Sequence, residues 1–233
     1  EVKGAAYDKE TGIARYSAAV EKPSYTYATG SSAVSLTVSF SLDMSTLPKS
    51  PFTDVVAGSW YFDAALYASS HNLMLGTSPT EFSPNITMTR GMLVTVLYRM
   101  NGSPSVSGKT PFTDVRTDEW YSAAVLWAYQ NGIVTGMSDT TFAPINNVTR
   151  EQMATILFRY TKTAAPDKAK ASADLSGFAD AGSVNDWAVD AMRWAVGQKL
   201  IAGITLGQSV YLQPRGNATR AQAATVLTRY YAQ

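Results

Sequence analysis

Apolar and polar residues alternate with two different periods along the chain. Between residues 34 and 42 an apolar residue occupies every second position, with serine or threonine between them. A period of two predicts a half-buried strand. Weaker strand candidates lie at 13–20 and 25–29. The sequence therefore predicts a β-rich segment over residues 1–48, either the end of a preceding domain or a small sheet packed on helices.

From residue 49 onward the apolar spacing becomes helical, and one unit occurs three times. The units span about 52–100, 112–160 and 178–231. Each contains an aromatic-x-Asp triplet, a tryptophan, a helix-like segment, a glycine, a proline-containing loop and a Thr-Arg pair before a second helix-like segment. In the first segment apolar residues fall at i, i+4, i+7 and i+8 counted from the tryptophan, which predicts one helical face starting there. Two helices cannot bury both apolar faces alone, so we expect one domain over 49–233.

Glycine and threonine residues predict the helix boundaries. The first helix of each unit is expected to end where glycine permits a left-handed turn, at Gly76, Gly136 and Gly203. The second helix is expected to follow a threonine N-cap, at Thr89, Thr149 and Thr219. Glutamine three positions later predicts a capping box in the second and third units, whereas the first unit has Met92 there.

An arginine follows each of these threonines, in the first turn of the second helix. The positions are Arg90, Arg150 and Arg220. A cation there is unfavourable by about 0.3–1 kcal/mol, because the helix dipole places partial positive charge at the N-terminus. A local rule broken three times in the same place indicates a functional site.

Two interpretations of these arginines remain open. The guanidinium and the free N–H groups of the first turn could form a receptor for an anion such as a carboxylate. Alternatively, each arginine pairs internally with the repeated Asp54, Asp114 or Asp180. The first interpretation predicts that Arg90→Ala together with Arg150→Ala abolishes ligand binding at a nearly unchanged melting temperature.

Composition and charge exclude several classes of function. There are 19 Lys and Arg against 18 Asp and Glu, so the net charge of +1 does not favour nucleic acid or an anionic membrane. No apolar segment is long enough for a membrane helix, so no membrane insertion is predicted. Without cysteine, and with His71 as the single histidine, disulfides and Cys/His zinc sites are excluded, and we predict neither a metal site nor a cofactor.

Several residues that could suggest catalysis or sugar binding are expected to have structural roles instead. The aromatic pairs at seven-residue spacing, Trp120 with Trp127 and Trp187 with Trp194, are expected to pack in the core rather than form a platform for a sugar. His71 is expected to be a solvated or capping residue. The prominent acids are triplicated, whereas a glycosidase needs one unique carboxylate pair. The chain is therefore predicted not to be an enzyme.

The order of these motifs resembles the S-layer homology domain of bacterial surface proteins, in three tandem copies. The resemblance implies a mainly α-helical fold in which three helix-loop-helix repeats form a pseudo-threefold trimer with a central three-helix bundle. It implies grooves between neighbouring repeats that bind secondary cell wall polysaccharide, and a location at the bacterial cell surface. In the family the ligand often carries pyruvyl ketals on N-acetylmannosamine, whose carboxylate meets the arginine of the Thr-Arg pair.

Carried onto this chain, the resemblance places the ligand against residues of all three repeats. They are Arg90, Arg150 and Arg220; Gly76, Gly136 and Gly203; the neighbouring Thr77, Met137 and Thr205; and the groove walls Trp60, Trp120 and Trp187. The acidic residue that follows the family's Thr-Arg pair is Met92, Gln152 or Gln222 here, and Leu212 replaces the aromatic of the third loop, which is longer. These departures predict an altered or silent third groove and an irregular first one.

The function expected from the sequence is non-covalent anchoring of an exported protein to the cell wall. Several modest sites on one polymer raise the effective concentration for each further contact. The alternative is protein–protein scaffolding or surface-array assembly, in which the strand at 34–42 joins the sheet of a partner or self-associates with a second copy.

Overall fold

The computed structural model describes residues 5–8, 13–16 and 50–232. In the first part, β1 (Ala5–Asp8) pairs antiparallel with β2 (Ile13–Tyr16). The strand candidate at 13–20 is thus present over its first four residues, and β1 had no counterpart in the sequence prediction. The candidates at 25–29 and 34–42 lie outside the described residues.

Each repeat contributes two helices, so the mainly α fold is confirmed. The first repeat forms α1 (Phe62–Ser70) and α2 (Arg90–Met100), and the second forms α3 (Ser122–Gln130) and α4 (Arg150–Ala164). The third forms α5 (Val189–Gly197) and α6 (Arg220–Tyr231), joined by the hairpin of β3 (Ile204–Leu206) and β4 (Ser209–Tyr211). Short 3-10 helices lie at Pro166–Lys170, Ala181–Ser183 and Asp186–Ala188.

The three repeats close into a ring. The second helix of each repeat packs on the first helix of the next: α2 on α3, α4 on α5, and α6 back on α1. At the centre the backbone N–H of Met88 donates to Ala218 (2.8 Å), that of Ala218 to Val148 (2.9 Å), and that of Val148 to Met88 (2.9 Å). All three residues are fully buried. This triangle satisfies buried backbone groups without water and places the N-termini of α2, α4 and α6 around one pseudo-threefold axis.

The core includes residues whose structural role the sequence predicts. Trp127 and Trp194 are buried, and the indole N–H of Trp194 donates to the carbonyl of Lys168 (2.9 Å). His71 is exposed and forms the C-cap of α1, where its Nδ1 contacts the carbonyl oxygen of Tyr67 (3.0 Å). The predictions for Trp127, Trp194 and His71 are confirmed, whereas the predicted core packing of Trp120 and Trp187 is wrong, since they are 58% and 54% exposed.

The predicted ends of the first helices are wrong. Each helix ends before the apolar run, and the left-handed residue that follows it is Asn72 (φ 55°), Gly132 (φ 67°) or Lys199 (φ 57°). Gly76, Gly136 and Gly203 therefore lie in the loops after the helices. The end of each helix requires a residue in the left-handed conformation, and asparagine or lysine supplies it in two repeats. The repeated glycines are therefore not needed to end the helices.

Candidate ligand-binding grooves

Threonine caps begin all three second helices, as the sequence predicts. The Thr89 side chain accepts a hydrogen bond from the N–H of Met92 (3.2 Å). Thr149 and Thr219 form complete capping boxes with Gln152 and Gln222. The first helix turn of each repeat is therefore fixed where the Thr-Arg pair lies.

The backbone N–H groups of these first turns are not free. The N–H of Arg90 donates to the carbonyl of Asn146 (2.9 Å), and the N–H of Gly91 donates to Pro144 (2.8 Å). The loops of the third and first repeats occupy the equivalent groups of α4 and α6. The expectation of an anion receptor built on free helix N–H groups is therefore wrong, because a neighbouring loop already uses those donors.

The guanidinium groups reach across to the next repeat and are buried. Arg90, Arg150 and Arg220 are only 5%, 6% and 6% exposed. Each Nε donates to a loop carbonyl of the following repeat, on Phe142 (2.9 Å), Leu212 (2.7 Å) and Phe82 (2.9 Å) respectively. Arg90 and Arg220 also lie over the Phe142 and Phe82 rings. Leu212 in the third repeat offers no such ring.

The repeated aspartates hold the same loops from the other side. Asp114 accepts hydrogen bonds from the N–H groups of Phe142 (2.9 Å) and Ala143 (2.7 Å). Asp54 and Asp180 do the same in their repeats. Among residues 50–232 no direct ion pair joins these aspartates to the arginines. As the internal-pair interpretation predicts, each arginine contacts a loop of the protein itself. The acceptor, however, is a backbone carbonyl and not the repeated aspartate.

Two cavities lie between the repeats, one for each of two arginines. Groove A, of about 370 Å³, combines Arg90 of the first repeat, elements of the second and Trp187 of the third. Its lining also includes Gly136, Met137, Gln152 and Arg159. Groove B, of about 400 Å³, combines Arg150, elements of the third repeat and Trp60 of the first. Its corresponding residues are Gly203, Ile204, Gln222 and Arg229.

Repetition of the unit defines a third position, groove C. The corresponding positions of the repeat are occupied by Arg220, Trp120, Gly76, Thr77, Met92 and Arg99. Of the predicted site residues, Arg90, Gly136, Met137 and Trp187 line groove A, and Arg150, Gly203 and Trp60 line groove B. Thr205 does not line groove B, where Ile204 directly follows Gly203 as Met137 follows Gly136.

The groove tryptophans do not lie on a helical face. Trp60 and Trp120 precede α1 and α3, and Trp187 lies in a 3-10 helix before α5. They are 60%, 58% and 54% exposed. The helical spacing counted from each tryptophan was therefore misleading, whereas the prediction that they form groove walls agrees with Trp187 in groove A and Trp60 in groove B.

A second arginine in two grooves was missed in the sequence analysis. Arg159 and Arg229 lie nine positions after Arg150 and Arg220, and both line cavities. Arg99 is their equivalent in α2. The signal was available, because the same comparison of repeats that found the first arginines shows this triplet.

Burial and a second cation both act on the groove arginines. Burial lowers the pKa of Arg90 to about 10, the charge of Asp114 opposes this, and the nearby charge of Arg159 lowers the pKa further. Burial also lowers the pKa of Arg150 and Arg220, with Asp180 and Asp54 opposing it. No Asp or Glu lines groove A or B. Both cavities are therefore cationic sites without a carboxylate in their lining.

Glu151 is a further residue whose role sequence analysis missed. It is 2% exposed, and its carboxylate accepts hydrogen bonds from the N–H (3.1 Å) and side-chain amide (2.6 Å) of Asn185. Asn185 lies two residues before Trp187. Glu151 thus connects the N-terminus of α4 to the segment that carries the wall of groove A.

The glycines of the groove loops are required by close packing. A Cβ on Gly136 would lie 2.4 Å from the carbonyl oxygen of Ser138 and 2.5 Å from Cε1 of Phe112, and its φ is +83°. Gly203 (φ +81°) is similarly enclosed. Any side chain here displaces the loop that lines the cavity.

Gly136→Ala is expected to destabilise the protein by about 2–6 kcal/mol, since a left-handed non-glycine residue and an overpacked contact each contribute about 1–3 kcal/mol. Gly132→Ala is the matched control, because Gly132 is also left-handed (φ +67°) but has open space around its Cβ position. Chemical denaturation measures both. Equal destabilisation by the two substitutions would contradict the packing explanation.

The described residues 50–232 contain no group of three or more His, Asp or Glu side chains that could hold a metal ion. In the same part of the chain, no helix is long and apolar enough to cross a membrane.

A ring of three helix-loop-helix repeats with composite grooves defines an α-helical repeat module. The family model of the S-layer homology domain matches residues 51–91, 111–154 and 177–224, and the chain belongs to this family. The three repeats are thus an anchoring module of an exported protein that is associated with the bacterial cell surface and cell wall.

Relatives are large proteins of which this chain matches a part. It is 34% identical over 178 residues to an endoglucanase of Bacillus sp. (strain KSM-635), covering 76% of this chain and 18% of that protein. It is 29% identical over 177 residues to an amylopullulanase of Thermoanaerobacterium thermosulfurigenes, covering 76% and 9%. It is 32% identical over 154 residues to a surface-layer 125 kDa protein of Lysinibacillus sphaericus, covering 66% and 12%. The chain therefore spans less than a fifth of the length of each of these relatives.

Proposed function

We propose that this chain anchors its parent protein non-covalently by binding an acidic, pyruvylated secondary cell wall polysaccharide in the inter-repeat grooves, and that it catalyses no reaction. The observation that carries this proposal is the pair of arginines in each of grooves A and B, without a carboxylate in the lining. An anionic ligand supplies the negative charge that the lining of each cavity lacks.

The electrostatics favour a carboxylate as the bound group. Among the described residues, Arg90 and Arg150 use only Nε in hydrogen bonds within the protein, so their terminal nitrogens are available to the cavity. A guanidinium offers a carboxylate two parallel donors. Each charge-assisted hydrogen bond contributes about 1.5–3 kcal/mol. Because the group is largely buried, the interaction is screened less than a surface ion pair.

The other lining residues suit a sugar ring. Trp187 and Trp60 present flat apolar faces at the edges of grooves A and B, while Gln152 and Gln222 place amide groups inside. The cavity volumes of about 370 and 400 Å³ fall in the range of roughly 300–1,000 Å³ that small-molecule sites occupy. An apolar wall with a few convergent polar groups is the usual construction of such a site.

The lining also supports binding without catalysis. General acid–base hydrolysis of a glycoside requires two carboxyl groups flanking the bond, and neither cavity is lined by Asp, Glu or His. The enzyme names of some relatives describe proteins of which this chain matches a small part.

Co-sedimentation with purified bacterial sacculi tests the proposal. Three preparations are compared: intact sacculi, sacculi stripped of secondary polysaccharide by acid, and sacculi enzymatically depyruvylated. We expect binding to intact sacculi and loss on both treatments. Binding that survives stripping would contradict a polysaccharide ligand, and binding that survives depyruvylation would contradict the pyruvyl carboxylate. Release of reducing ends during incubation would contradict the absence of catalysis.

Binding of a pyruvylated sugar is expected to be independent of pH between about pH 5 and about pH 8. With its pKa lowered to about 10, Arg90 is cationic throughout this range, and a pyruvyl carboxylate remains ionised. Binding is complete below the Arg90 pKa and decreases only as the pH approaches it. Isothermal titration calorimetry with pyruvylated methyl N-acetylmannosaminide measures this dependence. An inflection near pH 6.5 would indicate an unrecognised histidine contribution.

A further inference from the structure

We infer that this chain has two working grooves, A and B, and that groove C does not bind the anionic sugar because its own backbone occupies the arginine. The inference rests on the proposed function. It differs from the sequence expectation of an altered or silent third groove. It develops the expected irregularity of the first repeat, whose loop and Met92 belong to groove C.

The hydrogen bonds of Arg220 differ from those of its counterparts. Its Nε donates to Phe82 (2.9 Å), as in the other repeats, but its Nη2 also donates to the carbonyl oxygen of Leu75 (2.6 Å). A bidentate carboxylate requires two donors on one side of the guanidinium. An internal acceptor on Nη2 competes directly with the ligand, so groove C lacks the free fork that grooves A and B retain.

The backbone next to this carbonyl also differs. Gly136 and Gly203 have φ values of +83° and +81°, whereas Gly76 is not in the left-handed region. The peptide that joins Leu75 to Gly76 can therefore direct its carbonyl towards Arg220. Around the Cβ position of Gly76, the Ser78 and Glu81 carbonyl oxygens lie at 2.5 and 2.7 Å, so the loop is held tightly in this arrangement.

Two further side chains weaken groove C as an anion site. Met92 occupies the place of Gln152 and Gln222, which removes the amide that lines the other two cavities. Arg99 is exposed, whereas Arg159 and Arg229 are half-buried. Arg159 donates to the hydroxyl of Thr135 (3.3 Å), and Arg229 donates to the carbonyl of Leu200 (3.2 Å).

The number of binding sites tests the inference. Isothermal titration calorimetry uses the full chain with pyruvylated methyl N-acetylmannosaminide, and the neutral methyl N-acetylmannosaminide serves as the uncharged control. We expect a stoichiometry of about two for the pyruvylated sugar, and at least tenfold weaker binding of the neutral one, which is about 1.4 kcal/mol.

Three equivalent substitutions assign the sites. Arg159→Gln and Arg229→Gln are each expected to reduce the stoichiometry to about one, whereas Arg99→Gln leaves it at about two. Thermal melting of each variant checks that it is folded. These arginines are exposed or half-buried, so the substitutions leave the core intact.

The outcomes separate this inference from the function on which it rests. A stoichiometry of three, with a decrease to two in Arg99→Gln, would overturn the two-groove inference and leave the proposed function supported. A stoichiometry of one would also overturn it. If the wild-type chain binds neither sugar, both the inference and the proposed function are overturned.

Discussion

Replacing Asp114 by alanine is expected to lower the free energy of unfolding by about 3–5 kcal/mol, because it leaves one buried cation without its nearby charge and two backbone N–H groups without an acceptor. The carboxylate receives the N–H groups of Phe142 and Ala143, and its charge opposes the desolvation of Arg90. The melting temperature is expected to fall by about 6–20 °C, at about 2–4 °C for each kcal/mol in a domain of this size.

Asp118→Ala provides the matched control. Asp118 belongs to the same repeat, but its side chain is 66% exposed and pairs with an equally exposed Arg116. An exposed pair contributes at most about 1 kcal/mol. Differential scanning calorimetry of both variants measures the effect. A loss below about 1 kcal/mol in Asp114→Ala would show that Arg90 and the loop are held without this carboxylate.

The internal repetition of the sequence predicted most of the fold. Comparing the three copies located the threonine caps and the capping boxes at Thr149 and Thr219. It found Arg90 and Arg150, which line the cavities, but missed Arg159 and Arg229. Caps depend on residues three positions apart, so local sequence contains the necessary information. Helical spacing within α3 and α5 predicted the burial of Trp127 and Trp194. The same spacing wrongly included Trp120 and Trp187, which precede these helices.

The ends of the first helices could not be read from the same pattern. Glycine at positions 76, 136 and 203 suggested a C-cap, but Asn72 and Lys199 adopt the left-handed conformation in two repeats. The glycines are instead required because Phe112 and loop carbonyls approach Gly136 closely. Such proximity arises between segments distant along the chain, and periodicity carries no information about it.

The contacts of the arginines were also beyond sequence reasoning. The ring arrangement sends Arg90 to the loop of the second repeat rather than to its own, so its nearby carboxylate is Asp114 and not Asp54. In the same ring, the N–H groups at the N-termini of the second helices donate to carbonyls of a neighbouring loop. Because Arg90 and Arg150 are buried and fix these loops, their replacement by alanine is now expected to destabilise the protein, in contrast to the sequence expectation.

The double substitution Arg159→Gln with Arg229→Gln is expected to abolish retention on intact sacculi. Each arginine lines one cavity, and neither is buried in the core. Two linked sites on one polymer bind about 10²–10⁴-fold more tightly than one, so removing a single site already reduces retention strongly. Removing both leaves no groove with two guanidiniums except groove C, where Arg220 is engaged by Leu75. Quantitative co-sedimentation over a range of protein concentrations measures the loss.

Arg116→Gln with Arg99→Gln is the control for net charge. It removes the same number of positive charges from exposed positions outside grooves A and B. Attraction of the whole chain to an acidic polymer would be reduced equally by both double substitutions, because long-range attraction depends on total charge. If recognition occurs in the grooves, the double variant at Arg159 and Arg229 loses binding, whereas the double variant at Arg116 and Arg99 retains it. Equal losses would contradict groove recognition, and retention by the Arg159 and Arg229 variant would exclude these cavities as the wall-binding sites.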